Sequence, residues 1–268
     1  LLLSLWISLH LLIVPRIDEF RPWLQEQASK ALGMRVELGS ITASSQGLVP
    51  EFELDNVKIL DAAGEVQLNL GRVTLALTPT SALQGEFSQI TLEQLDLDVV
   101  RDAQGGIRVA GIPLQGGTDP RLSDWVFSQW EWVLRASSIN YTDEASGLAP
   151  VRMTQIEGVL RNSLLDHRFR LDATPPEALG QRFSVRALFK QPLLSAHAGA
   201  WENWTGMVYA QTRQANLQAW QKHVPGNPNL SVQGSGWLRA WLQIKGGKVQ
   251  GWTQDLALDH PGVNWKSA

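Results

Sequence analysis

The 268-residue chain contains no cysteine and only two tyrosines. Without cysteine there can be no disulfide, no thiolate nucleophile and no cysteine-ligated zinc or iron–sulfur site. Basic clusters are missing too: 23 Lys and Arg against 26 Asp and Glu leave a formal net charge of −3. A nucleic-acid binder needs a basic stripe to displace counterions, so nucleic acid is excluded as a partner. The five histidines, His10, His167, His197, His223 and His260, share no H-x-H or H-E-x-x-H spacing and read as scattered surface side chains rather than metal ligands. There is no G-x-S-x-G elbow. The pairs Gly105-Gly106, Gly116-Gly117 and Gly246-Gly247, and Gly234–Gly236, lack the order of a phosphate-binding loop and fall between strand patterns, as turns do. Asn203-Trp204-Thr205 matches a glycosylation sequon by chance, and Asp143-Glu144 reads as a charged turn. No catalytic residue, metal or cofactor is expected, and the chain does not read as an enzyme.

What is abundant is tryptophan, twelve residues of it, within an ordinary hydrophobic content of 44%. Trp combines a large apolar ring with one donor and suits surfaces that meet lipid or an apolar ligand. Long apolar runs are absent except at the start, Leu1–Val14, which holds no charged residue. A bilayer crossing takes about 20 residues, and no small-x-small cleavage site follows in Val14-Pro15-Arg16-Ile17-Asp18. The run therefore reads as the end of an uncleaved transmembrane anchor, residues 1–15, cut short at its beginning. Next, Ile17, Phe20, Leu24, Ala28, Ala31 and Leu32 recur at helical spacing, with Gly33 as the stop. They predict an amphipathic helix over 16–33, with Pro22 in its first turn, that plugs the end of a sheet or lies in a membrane interface.

From residue 34 a cadence repeats: apolar, two polar or small residues, apolar, polar, apolar. It reads Leu38-Gly-Ser-Ile41-Thr-Ala43, Leu54-Asp-Asn-Val57-Lys-Ile59, Leu70-Gly-Arg-Val73-Thr-Leu75 and Leu92-Glu-Gln-Leu95-Asp-Leu97, with looser copies at Ile156 and Val249. Period-two alternation puts side chains on one face of a sheet. A two-residue step would send the set to the other face unless an extra residue bulges out there, which also bends the strand. Turn residues at Asp61-Ala-Ala-Gly64 and Asp102-Ala-Gln-Gly-Gly106 favour short antiparallel connections. The predicted fold is mainly β (α+β): a long curved antiparallel sheet forming a hydrophobic groove, with an N-terminal membrane helix and a few short amphipathic helices. The groove begins over 34–112, is interrupted by a linker at 113–121 and continues over 122–268. Short helices are expected near 123–130, capped by Ser123 or Asp124, and near 216–223. Roughly fourteen strands, each advancing the sheet by about 4.8 Å, would span on the order of 65 Å. Candidate groove-lining residues are Val66, Leu68, Leu70, Val73, Leu75, Leu77, Leu92, Leu95, Leu97 and Val99; the same pattern also serves the core of a closed sandwich or barrel.

The order of features resembles the N-terminus of the AsmA-like proteins, TamB and the YhdP type among them. The resemblance is carried by Phe20-Arg-Pro-Trp-Leu-Gln-Glu-Gln-Ala-Ser-Lys-Ala-Leu-Gly33-Met-Arg-Val36, Pro50-Glu-Phe-Glu-Leu-Asp-Asn-Val57-Lys-Ile59 and Arg72-Val-Thr-Leu-Ala-Leu77. Asn140-Tyr-Thr-Asp143-Glu144, His167-Arg-Phe-Arg-Leu171-Asp-Ala173, Leu217-Gln-Ala-Trp220 and Gly236-Trp-Leu-Arg-Ala-Trp241 extend it along the chain. These are structural patterns rather than signatures of chemistry. The resemblance implies a single-pass protein of the bacterial inner membrane with its bulk in the periplasm. It further implies a β-groove that carries phospholipids toward the outer membrane, and an outer-membrane or periplasmic protein partner. The competing reading is a membrane-tethered scaffold that acts on outer-membrane proteins through a sheet edge.

Overall fold

The computed structural model describes residue 7 and residues 14–46, 49–61, 63–78, 80–81, 86–113, 120–195, 197, 199–223 and 230–265. Among the described residues fifteen strands form one sheet. A 3-10 segment, Val14–Phe20, kinked at Arg16, leads into helix α1, Arg21–Leu32, which Gly33 ends with a left-handed φ of 66°. Strands β1 (Arg35–Glu37), β2 (Ser40–Gln46), β3 (Val49–Leu60), β4 (Val66–Ala76), β5 (Gln89–Glu93) and β6 (Asp96–Arg101) follow. Then come β7 (Ile107–Val109), β8 (Ile112–Pro113) and helix α2, Pro120–Ser128. The second part holds β9 (Glu131–Asp143), β10 (Val151–Asn162), β11 (Asp166–Thr174), β12 (Phe183–Lys190) and β13 (Thr205–Asn216). Helix α3 (Leu217–Gln221), β14 (Leu230–Lys245) and β15 (Lys248–Trp265) complete the order. Among the described residues no helix is long and apolar enough to cross a membrane. The anchor expected over 1–15 and the linker over 113–121 lie largely outside the described residues.

Several expectations need correction. The sheet is not wholly antiparallel, because β9 runs parallel to both β5 and β6. A parallel neighbour requires a crossover rather than a hairpin, and the segment carrying β7, β8 and α2 supplies it. Helix α2 starts before Ser123 and Asp124, so neither caps it. Strand β15 runs through Pro261 to Trp265; the proline falls in the register shift between Asp259 and Gly262, where the β14 ladder needs no N–H from it. The length estimate also shrinks. β1 and β2 pair with successive halves of β3, and β5 and β6 with successive halves of β9; each couple is one bent strand. The ladder path therefore has eleven members, β1-β3-β4-β5-β9 and then β10 to β15, and its ten intervals span about 48 Å.

The two-residue steps behave differently from isolated bulges. Glu37↔Lys58 and Ser40↔Asp55 bracket Gly39 and Asn56; Asp55↔Arg72 and Val57↔Leu70 bracket Asn56 and Gly71. The same level holds Gln94 and Ala136, and Gln155 follows on β10. The extra residue thus occurs at one level in neighbouring strands, and the β3–β4 register passes through the step unbroken. Asn56, Gln94, Ala136 and Gln155 all have positive φ, between 48° and 56°, in the left-handed region that non-glycine residues occupy at a cost of roughly 1–2 kcal/mol. The result is a crease across six strands that keeps the apolar set on one face while the sheet folds over. Its displaced backbone groups are satisfied by side chains: Glu157 accepts from Ala136 N at 3.1 Å, and Arg182 donates to Gln155 O at 2.7 Å. At the crease itself the ladder shifts at β10, between Met153 and Ile156 and between Thr154 and Glu157; the β3–β4 ladder shifts only beyond it, between Ile59 and Leu60.

Helix α1 closes the sheet at β1. Ser29 Oγ accepts from Val36 N at 2.9 Å, Gln25 Oε1 accepts from Leu38 N at 3.2 Å, and Arg21 donates to Gly39 O at 2.6 Å. Residues 21, 25 and 29 lie one helical turn apart on one face, so a helix takes the place of the next strand and satisfies the exposed edge. Gln25→Ala and Ser29→Ala should each cost about 1–2 kcal/mol by stranding a β1 donor. Chemical denaturation checks this, and a change within error for both variants would remove the edge-capping role. The core gathers under the helix: Ile17, Val36, Ile41, Phe52, Leu54, Val57, Val73 and Ile90 are buried together, with Leu24 and Ala28 against them.

Candidate functional site

Register partners carry one apolar lane along the inner face of the sheet. In order they are Ala43, Phe52, Leu75, Ile90, Trp132, Leu160, Phe169, Ala187, Val208, Leu242 and Trp252, one from each strand crossed. Beside it runs a second lane: Ile41, Leu54, Val73, Leu92, Leu134, Gly158, Leu171, Val185, Ala210, Ala240 and finally the polar Gln254. Many alternate residues on the outer face of β3–β10 are polar and carry ion pairs such as Arg72–Asp55 at 3.1 Å and Arg152–Asp96 at 3.2 Å. Exposed pairs of this kind add little stability; their effect is to keep the outer face wetted and leave the inner face apolar.

Over β1–β5 and the start of β9 the lanes are roofed by α1 and α2, which touch each other. Beneath them lies a cavity of about 910 Å³, lined among the described residues by apolar side chains and one polar one, Gln27. Water against so apolar a wall finds no hydrogen-bond partner on the protein, so an apolar occupant is favoured there over solvent. Of the ten candidates named from sequence, Leu68, Leu70, Val73, Leu75, Leu77, Leu92 and Leu95 line it. Val66 does not: it begins β4 opposite Leu60 and is 50% exposed. Leu97 and Val99 also lie elsewhere. They sit past the crease on β6 against Ile139 and Tyr141, where that strand pairs with β9 instead of β4. Sequence reasoning missed Phe52, Leu54, Val57 and Ile59 of β3, which line the cavity and show the same cadence as β4. It also missed Phe20 just before α1, Trp23 and Leu24 of α1 and Trp125 and Val126 of α2, which reach the cavity only through tertiary packing.

Helix α2 is held down from several directions. Trp132 Nε1 donates to Val126 O at 2.8 Å, and Trp125 meets Trp132 edge-on at 5.4 Å. Asn162 Nδ2 donates to Gln129 O at 2.7 Å, while Asp124 accepts from Gly199 N and pairs with His197, each at 2.7 Å. On the side away from the cavity, Phe127 packs edge-on against Trp204 at 4.7 Å, and Trp204 stacks on His167 at 3.8 Å. His167 is therefore buried, 2% exposed, and not a surface residue. Asp143 departs from its sequence reading likewise: it is buried and pairs with Arg101 at 3.0 Å.

Burial pushes the His167 imidazole below its ordinary pKa, against weaker opposing effects from Gln191 and Asp166. The ring stays neutral, with Nδ1–H donating to Asn162 Oδ1 at 2.8 Å. Because the folded pKa is the lower one, the unfolded chain binds the proton more readily, and acid favours unfolding. This contribution is complete above about pH 6.5 and is lost as the pH falls toward the depressed folded value. Thermal melts should show a midpoint that declines on acidification through that window, and His167→Phe should flatten this part of the profile. An unchanged slope in the variant would assign the acid sensitivity to other groups. Among the described residues no three or more His, Asp or Glu side chains are arranged to hold a metal ion.

A creased sheet with an apolar chamber roofed by two helices defines a trough-type β protein. The YhdP protein family model matches residues 1–268, and the chain belongs to that family. It is 26% identical over 263 residues to the intermembrane phospholipid transporter YhdP of Escherichia coli (strain K12), a match covering 94% of this chain and 19% of that protein. The chain thus spans about a fifth of the relative's length. No solved structure matches.

Proposed function

We propose that the trough shelters phospholipid acyl chains and forms part of a non-enzymatic conduit between the inner and outer membranes. The chain would be anchored in the inner membrane with its bulk in the periplasm. The observation that carries this reading is the unbroken apolar lane of eleven register partners, which begins inside a chamber of about 910 Å³ with almost no polar lining. The relative's name as an intermembrane phospholipid transporter supports the same reading. Sheltering a methylene from water is worth about 0.8 kcal/mol, so a chain of about fifteen methylenes gains roughly 12 kcal/mol. A bilayer offers nearly the same, which makes transfer between membrane and trough close to isoenergetic. That flatness suits a conduit, whereas a tight pocket would trap its cargo. The test is to purify the chain from membranes and extract it for bound phospholipid, with a photoreactive residue at Leu75 and another at Thr74. Lipid adducts at Leu75 and none at Thr74 are expected; adducts at neither, with only background lipid in the extract, would overturn the reading.

The scaffold alternative would use β15, which among the described residues pairs with β14 alone and exposes Val249, Trp252, Val263 and Trp265. Such an edge is a ready template for another strand. If a partner protein crosslinks along β15 while the trough carries no lipid, scaffolding is the function.

A further inference from the structure

We infer that the trough fills sideways, through a portal beside the exposed face of α1 that rests on the bilayer surface, with Phe20, Trp23 and Gln27 as its rim. This rests on the acyl-chain reading above. Three observations lead to it. End-on entry past β1 is closed, because Arg21, Gln25 and Ser29 tie α1 to the backbone of residues 36, 38 and 39. Phe20 and Trp23 line the chamber and yet are 38% and 57% exposed, so they stand where it opens to the outside. Gln27, one turn further on, is also exposed and is, among the described residues, the one polar side chain in the lining.

The chemistry of this rim fits a lipid–water boundary. Trp concentrates at that depth because its amphipathic ring prefers the interface to either bulk phase, Phe beside it suits the acyl side of the boundary, and an amide can hydrogen-bond to headgroup and ester oxygens. Charge near the rim is balanced, Arg16 and Arg21 against Asp18 and Glu19, so docking does not depend on anionic headgroups. The bilayer is favoured over a protein as the surface met here because only Pro15 and Arg16 separate the uncharged run Leu1–Val14 from the buried Ile17. A chain inserted through that run has the portal beside the membrane surface. An acyl chain leaving the leaflet then meets Phe20 and Trp23 first and the chamber wall next.

Because the chain lacks cysteine, a single introduced thiol reports one position. The full chain is reconstituted with vesicles of phosphatidylethanolamine and phosphatidylglycerol, carrying an environment-sensitive fluorophore on Trp23→Cys or, separately, on Trp130→Cys. Trp130 is 49% exposed and lies outside the chamber lining. The position-23 label should shift to the blue and be quenched by nitroxides at headgroup depth, while the position-130 label remains in water. A photoreactive residue at Leu75 then follows filling. Phe20→Ser with Trp23→Ser should slow adduct formation from vesicles by about tenfold or more, the loss expected when two partly exposed aromatic contacts at the interface are removed. Adduct formation from lipid supplied in detergent should be unaffected. A position-23 label in water, or an unchanged rate from vesicles, overturns the portal. Failure of Leu75 to form adducts from either source overturns the acyl-chain reading instead, and the position-23 emission still decides whether α1 docks.

Discussion

Leu75→Asp is expected to strip the chain of bound phospholipid while Thr74→Lys leaves it loaded. Leu75 sits mid-wall between Phe52 and Ile90 and lines the chamber. A carboxylate there either stays ionised in an apolar space or draws in water that the acyl chain must displace. Either way the site loses its advantage over the bilayer, and retention should fall at least about tenfold for a loss of about 1.4 kcal/mol or more. Thr74 faces the other side, opposite Glu53, where a lysine finds water and a favourable charge. Extraction and quantification of co-purified phospholipid reads both. Since the aspartate also threatens the fold, Leu70→Trp provides an uncharged companion that narrows the chamber; it should lower lipid retention while the melting temperature holds. Equal retention in the inward and outward variants would remove the assigned facing.

The crease supports a prediction of opposite character. Ala136 is exposed, and substitutions at exposed sites usually change stability by no more than about 0.5 kcal/mol. Within a strand, a β-branched residue is ordinarily welcome. At φ 48°, however, its branched Cβ collides with the backbone, so Ala136→Ile should destabilise by about 2 kcal/mol or more. Ala136→Gly relieves the left-handed strain of the alanine and offsets much of glycine's entropic cost. It should be neutral or up to about 1 kcal/mol stabilising. Chemical denaturation of the pair separates this from ordinary strand propensity, which ranks isoleucine above glycine; that ranking at Ala136 would show that the crease imposes no backbone constraint.

Much of this architecture was legible as period-two alternation. Leu68, Leu70, Val73 and Leu75 alternate around the Gly71-Arg72 step, and all four line the chamber. The step itself announced a local departure from plain strand geometry, because a residue-by-residue count demands one. What it could not announce was alignment: that Gly39, Asn56, Gly71 and Gln94 lie level with one another depends on the register between strands, a long-range property that no local pattern encodes. The parallel joint at β9 was hidden for a related reason. Connection lengths suggest hairpins, but β5 and β6 meet β9 across a gap of 42 residues in sequence. His167 looked like any polar residue on a strand, and only the approach of α2 and Trp204 from elsewhere buries it.

The sequence by itself determined the one-sided apolar character of nearly every strand, the helix that ends at Gly33 and the family to which the chain belongs. Those properties are written in nearest-neighbour spacing and survive in any arrangement of the strands. Only the tertiary structure decided that the bends fall at one level and fold the sheet into a trough, and that α1 seals β1. It also decided which apolar residues face the chamber: Phe20 and Trp125 do, while Leu97 and Val99 do not. Facing is set by which partner a strand pairs with beyond the crease, and that choice rests on contacts between residues tens of positions apart.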